Sequence, residues 1–226
     1  MKKKYRILLF AAILITDLIA IQLHYKMAEY IFKPLIIIWL MSYFVLQSRH
    51  VQSRLKKWVI LALLFSWLGD VLLMFQEDNP LFFLLGLSSF LIAHIFYILF
   101  FHFVRMKERV KSKWYLLLMV AVYYAVLIVI LSPYLGDMKL PVQIYAVVIS
   151  FMFMLAMHML FIKNKSAGLW MMMGALLFVI SDSILAINKF YQSFEMAGIV
   201  VMLTYGLAQL FITEGAIRYM SSDYKE

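Results

Sequence analysis

Short polar breaks divide this chain into eight apolar stretches, near residues 7–23, 29–47, 58–75, 81–103, 114–132, 142–161, 169–188 and 196–216. At about 1.5 Å of rise per residue, a helix of each stretch crosses roughly 30 Å of hydrocarbon. With 65% hydrophobic and 15% charged residues, the chain has far more apolar surface than a soluble core could hide. The expected fold class is all-α: a polytopic membrane protein of eight transmembrane helices. No linker or low-complexity segment divides it, so residues 1–226 are expected to form a single domain. The first stretch follows Met1-Lys2-Lys3-Lys4, but Thr16-Asp17-Leu18-Ile19-Ala20 offers no small-x-small cleavage site, which predicts a retained span.

The net charge of +9 could suggest a nucleic-acid partner, but the cations lie in the loops between spans. They therefore read as a topology signal. Assigned to alternate sides, 17 lysines and arginines fall with the two termini and 3 (Lys26, Lys139 and Lys189) fall opposite. The positive-inside rule then puts both termini in the cytoplasm, in the inner membrane if the source is bacterial. Zero cysteines exclude disulfides, thiolate nucleophiles and Cys-ligated metals. His24, His50, His102 and His158 have no helical partner at ligand spacing, so neither a metal nor a cofactor is expected.

Acids inside apolar spans point to function, because each costs a few kcal/mol at the bilayer centre unless it faces a cavity or a partner. Asp70 sits in Ser66-Trp67-Leu68-Gly69-Asp70, and a related pattern returns as Ile180-Ser181-Asp182-Ser183. Spans three and seven run in the same direction, and each acid is about six residues, or roughly 9 Å, from the outer end of its span. Matched context and depth suggest one shared site. The offset of 112 residues between the two acids also carries Gly86 onto Gly198, which suggests two duplicated four-helix halves.

Lys33 would lie about 6 Å below the same boundary, where it could contact a substrate or an acid, pair with Glu29 one turn earlier, or simply snorkel. His94 with Tyr97, and Tyr205 with Gln209, each share a helix face and are candidates to line a pocket deeper in the bundle, with interhelical bonding as the alternative. Ser181 joins the candidates beside its acid. For the two acids the structural alternative is hydrogen bonding to backbone or to Ser66, Ser181 and Ser183. Asp17 and Glu214 read as structural, and the methionines, Met171-Met172-Met173 included, as packing residues. These polar groups describe a pocket that opens outward and narrows inward, the shape one acyl chain with its headgroup at the interface requires.

Five motifs, Phe32-Lys33-Pro34-Leu35, Ser66 to Asp70, Gly86 to Tyr97 with Ala93-His94-Ile95-Phe96-Tyr97, Gly174 to Ser183, and Thr204-Tyr205-Gly206-Leu207-Ala208-Gln209, resemble those of the lysoplasmalogenase-like, or YhhN, family and run in its order over nearly the whole chain. The resemblance implies an eight-span fold and hydrolysis of the vinyl-ether bond of a lysoplasmalogen, or a related ether or lysolipid, to a fatty aldehyde and a glycerophospho-headgroup. The partners it implies are a lysophospholipid substrate and membrane lipids. Acid catalysis by Asp70 and Asp182, with Lys33, His94, Tyr97, Ser181, Tyr205 and Gln209 binding substrate, is the corresponding expectation. A small-molecule or lipid transporter and a non-enzymatic lipid-binding protein are the alternatives; a carrier would need polar groups along the whole route, and the inward half offers little beyond Gln209 and Glu214.

Overall fold

The computed structural model describes residues 3–51 and 53–223. Lys2 and Lys225, two of the cations counted for topology, lie outside the described residues. Eight helices run in sequence: α1 (Lys3–Gln22), α2 (Lys26–Ser48), α3 (Lys56–Met74), α4 (Pro80–Lys107), α5 (Trp114–Leu131), α6 (Lys139–His158), α7 (Lys165–Ala186) and α8 (Ala197–Asp223). Among the described residues there is no strand, and all eight helices are long and apolar enough to cross a membrane. Their limits follow the apolar stretches closely; α4 and α8 run past theirs at the end carrying the termini.

Local chemistry sets several of these limits. Asn79 accepts a hydrogen bond from the Leu81 amide at 2.8 Å and Pro80 opens α4, so a cap and a preset φ start the helix together. Asn164 caps α7 through the Ala167 amide at 3.0 Å. His24 and Arg109 end α1 and α4 with φ of 53° and 52°. Beyond them the Tyr25 and Val110 amides reach back five residues to the Ala20 and Arg105 carbonyls, at 2.9 and 3.1 Å, which satisfies otherwise orphaned acceptors.

Helices α3 with α4, and α7 with α8, pack over the greatest length. In a bilayer the lipid tails are as apolar as leucine, so close packing of small residues has to hold helices together. Gly69 faces the Phe90 ring and Gly86 faces Leu73 across the α3–α4 seam. On the α7–α8 seam a Cβ at Gly174 would stand 2.7 Å from the Ile212 amide nitrogen and 2.8 Å from the Ala208 carbonyl, so only glycine allows that approach. The outward surface is apolar. Leu118, Val122, Val126 and Val129 form an exposed stripe along α5 at helical spacing, the face a lipid environment covers.

Candidate functional site

Two adjoining spaces occupy the end of the bundle opposite the termini, where the α1–α2, α3–α4 and α7–α8 turns meet. The outer one is a vestibule of about 790 Å³ with charged side chains from three turns, among them Lys26, Glu29, Glu77 and Glu195. Below it lies a narrower cavity of about 110 Å³. Lys33, Leu73 and Gln76 line both spaces and form the neck between them. Lys26 and Glu77 pair at 2.5 Å across the vestibule rim; this bond from the ammonium holds the Glu77 carboxyl below its usual range.

Asp70 and Asp182 both line the inner cavity. Asp70 comes from α3 one residue after Gly69, whose missing side chain lets the Phe90 ring of α4 lie against the helix. Asp182 projects from α7 one turn before the helix widens into a π-turn at Ile187–Tyr191. That widening, of a kind frequent at functional sites, belongs to the segment from which Phe190 joins the cavity wall. In α2, Pro34 removes an amide from the helical ladder immediately after Lys33.

The acids' partners are tyrosines and a histidine. The Tyr205 hydroxyl of α8 donates to Asp70 Oδ2 at 2.7 Å, and the Tyr145 hydroxyl of α6 donates to Asp182 Oδ2. His94 of α4 presents Nε2 to the same Asp182 oxygen at 3.7 Å, while its Nδ1 lies 2.6 Å from the Phe90 carbonyl. The serines considered as partners for the acids are engaged elsewhere. Ser181 donates to the Val201 carbonyl at 2.9 Å, Ser183 to the Val179 carbonyl at 2.6 Å, and Ser66 accepts from Gln209 Nε2 at 2.9 Å.

Of the residues expected at the site, Lys33, Asp70, Ser181, Asp182 and Tyr205 line the cavity together. His94, Tyr97 and Gln209 are fully buried behind its wall. Tyr97 donates to Gln209 Oε1 at 2.6 Å, and Gln209 passes the chain of bonds to Ser66, so this layer braces α3, α4 and α8 against one another. A Glu29–Lys33 ion pair is not formed: among the described residues Lys33 has no hydrogen bond or ion pair. Half-buried at the neck, its ammonium is available to a ligand.

Tyr145, Gln76 and Phe190 were not singled out in the sequence. Tyr145 was open to discovery there, because the 112-residue offset linking the two acids carries Lys33 onto it. Two further acids are buried outside the cavity wall. Asp17 is fully buried in α1, neither carboxyl oxygen has a hydrogen-bond partner among the described residues, and it lies within charge reach of both Lys33 and Asp70. Glu214, near the opposite end, accepts from Tyr43 at 2.9 Å and from Arg218 at 2.7 Å. Among the described residues no three His, Asp or Glu side chains gather as a metal site.

A family model described as the YhhN family matches residues 28–216, which include every residue of the cavity wall. The chain belongs to the YhhN family. It is 34% identical over 157 residues to a Homo sapiens protein named lysoplasmalogenase TMEM86B, an alignment covering 70% of this chain and 62% of that one. It is 29% identical over 169 residues to a Mycobacterium bovis protein named lysoplasmalogenase, covering 74% and 62%, and 31% identical over 169 residues to the Homo sapiens lysoplasmalogenase TMEM86A, covering 70% and 65%. The chain thus matches a little under two thirds of the length of these relatives. No solved structure matches it. Family and helices together identify a multi-pass integral membrane protein.

Proposed function

We propose that this YhhN-family protein hydrolyses the vinyl-ether bond of a lysoplasmalogen, using Asp70 and Asp182 as a pair. The observation that carries this reading is that carboxyls from two distant helices line one narrow, mostly apolar cavity with an ammonium at its neck. The names of the relatives supply the substrate class. The vestibule suits a polar headgroup and the cavity suits the bond next to it, with Lys33 at the depth of the lipid phosphate.

The reaction begins when a carboxylic acid protonates the alkene carbon distal to the ether oxygen, giving an oxocarbenium ion. The second, charged carboxyl stabilises that cation and takes a proton from the attacking water, leaving a hemiacetal. Collapse of the hemiacetal transfers one proton from its hydroxyl to the first carboxyl and one from the second carboxyl to the departing glycerol oxygen. Aldehyde and alcohol leave with both acids restored, and one water is consumed. Tyr205 and Tyr145 fix the rotamers of the two carboxyls, which keeps them aimed at the bound bond.

The arrangement of the pair supports descent from a duplicated four-helix unit. The packing of α1 on α2, α2 on α3, α3 on α4 and α2 on α8 is matched by α5 on α6, α6 on α7, α7 on α8 and α6 on α4. Tyr97 and Gln209, which the 112-residue offset equates, bond to each other, as equivalent positions on a pseudo-twofold axis do.

Purified protein in detergent, given 1-alkenyl, 1-alkyl and 1-acyl lysophosphatidylethanolamine in parallel, tests the substrate class. Aldehyde should be released from the alkenyl lipid alone. Hydrolysis confined to the acyl lipid, or binding of all three without turnover, would replace this reading with an esterase or a lipid-binding protein.

A further inference from the structure

The two carboxyls of the cavity have unlike surroundings, and the difference lies in the hydrogen atoms available to them. The Phe90 carbonyl can only accept, so the contact at 2.6 Å fixes the proton of the neutral His94 ring on Nδ1. Its Nε2 is then a bare lone pair. This nitrogen is buried without a hydrogen-bond donor among the described residues, and the polar atom it faces is Asp182 Oδ2 at 3.7 Å. A charged carboxylate there would keep its bond from Tyr145 but oppose lone pair to lone pair at the ring, leaving the buried His94 nitrogen unsatisfied. One proton on Asp182 removes the conflict: donated from Oδ2 toward Nε2 it gives the ring nitrogen a partner, and a small rotation of the carboxyl closes the 3.7 Å gap to hydrogen-bond distance.

Placing that proton on the ring instead would create an imidazolium and a carboxylate inside the bundle, where an ion pair bears the desolvation of both partners. The remaining neighbours of His94 give a cation no anion of its own: the rings of Phe178 and Tyr145 pack edge-on at centroid distances of 4.6 and 5.3 Å. Asp70 likewise accepts from a tyrosine, Tyr205 at 2.7 Å, but no histidine nitrogen faces it, and the Lys33 ammonium acts on Asp70 as a cation that balances a carboxylate. Two like charges in one narrow cavity repel, so a single proton held on one member is the balanced state of the pair.

From this geometry, and resting on the hydrolase reading above, we propose that Asp182 is the proton donor and Asp70 the charged partner, with His94 a positioning residue that keeps the proton on Asp182 Oδ2 until substrate is bound. In the first step the proton moves from Asp182 Oδ2 to the distal alkene carbon, and the electron pair of the double bond forms the new C–H bond. Asp70 takes the proton of the attacking water. His94 neither gains nor loses a proton over the cycle; its lone pair accepts from Asp182 before the step and again after hemiacetal collapse returns the proton.

Infrared difference spectroscopy on the substrate-free, detergent-solubilised full chain tests the assignment independently of turnover. Wild type minus Asp182→Asn should contain the C=O stretch of a neutral carboxyl that shifts in D2O, and wild type minus Asp70→Asn should not. In His94→Phe the same band should move to higher frequency, because its hydrogen bond is lost, while His94→Gln keeps an acceptor and should largely retain it. On alkenyl lysolipid, His94→Phe should lower kcat on the order of 10²-fold with KM little changed, and His94→Gln should recover part of the loss. Should the Asp182 variant fail to fold, 15N-histidine spectra of wild type and His94→Gln give the same answer, since His94 must appear as the neutral ring protonated at Nδ1. A neutral-carboxyl band that disappears only with Asp70→Asn, or a doubly protonated His94, would overturn the assignment while leaving the hydrolase reading intact. Absence of aldehyde release from the wild type would instead fail the hydrolase reading itself.

Discussion

Lys33 stands where vestibule and cavity meet, and its charge sits ahead of the reacting bond rather than on it. An interaction with the lipid phosphate is made equally in ground and transition states, so Lys33→Met should raise KM about tenfold or more and leave kcat within a few-fold of wild type. Steady-state kinetics on alkenyl lysolipid check this, and unchanged constants would return Lys33 to an interfacial role. The tyrosines act differently. Each donates to a carboxyl of the pair, so Tyr205→Phe and Tyr145→Phe remove a bond that fixes a rotamer without removing an acid. A lost hydrogen bond to a charged group is worth about 1.5–3 kcal/mol, which places the fall in kcat for Tyr205→Phe between roughly 10- and 150-fold. A larger loss for Tyr205→Phe than for Asp70→Asn would mean that the phenol itself performs the chemistry.

Helices α7 and α8 carry much of the site, contributing Asp182, Ser181 and Tyr205, with Phe190 from the π-turn between them, and their separation is set by Gly174 and Gly215. A Cβ at Gly174 meets the α8 backbone at Ile212 and Ala208 as well as the Ile212 side chain, and the backbone cannot swing aside, so the seam must open for Gly174→Ala to fit. Overpacking of this kind costs about 1–3 kcal/mol, and thermal unfolding in detergent should show a clear drop in midpoint. Because opening the seam also separates Tyr205 from α7, activity should fall further than unfolding alone explains. Gly136 provides the contrast within the same chain. It has open space around the Cβ position, and its positive φ of 48° is the feature a substitution would strain.

At the scale of the whole molecule, the eight spans and the two acids were legible because both depend on local pattern: length of apolar sequence for the spans, and a charge out of place for Asp70 and Asp182. The helices ended within a few residues of the polar breaks, as Asn79-Pro80 and Asn164 show. Partnership between helices was harder to read. Whether Tyr145 or Ser181 bonds Asp182 depends on the rotation of α6 against α7, and 14 tyrosines in one apolar chain offered no local mark to separate one from another. His94, Tyr97 and Gln209 were recognised as polar residues on shared faces, but helical spacing does not tell a cavity wall from the layer behind it. The basic loops at one end predict that both termini are cytoplasmic. Reporter fusions after Tyr224 and within the α3–α4 turn at Glu77 should read cytoplasmic and external, respectively; the reverse pattern would turn the vestibule toward the cytoplasm.

The central claim is that Asp70 and Asp182 act as one unit in a single cavity, and aldehyde release by the asparagine variants tests it most directly. Asp70→Asn and Asp182→Asn remove a carboxyl without changing its volume much, so both proteins should remain folded and monodisperse. Each should lose several orders of magnitude in kcat on alkenyl lysolipid, on the order of 10³-fold, and the double variant should be scarcely slower than the slower single one, because groups that act together are not additive. Folded single variants that each keep near-wild-type aldehyde release would contradict the account.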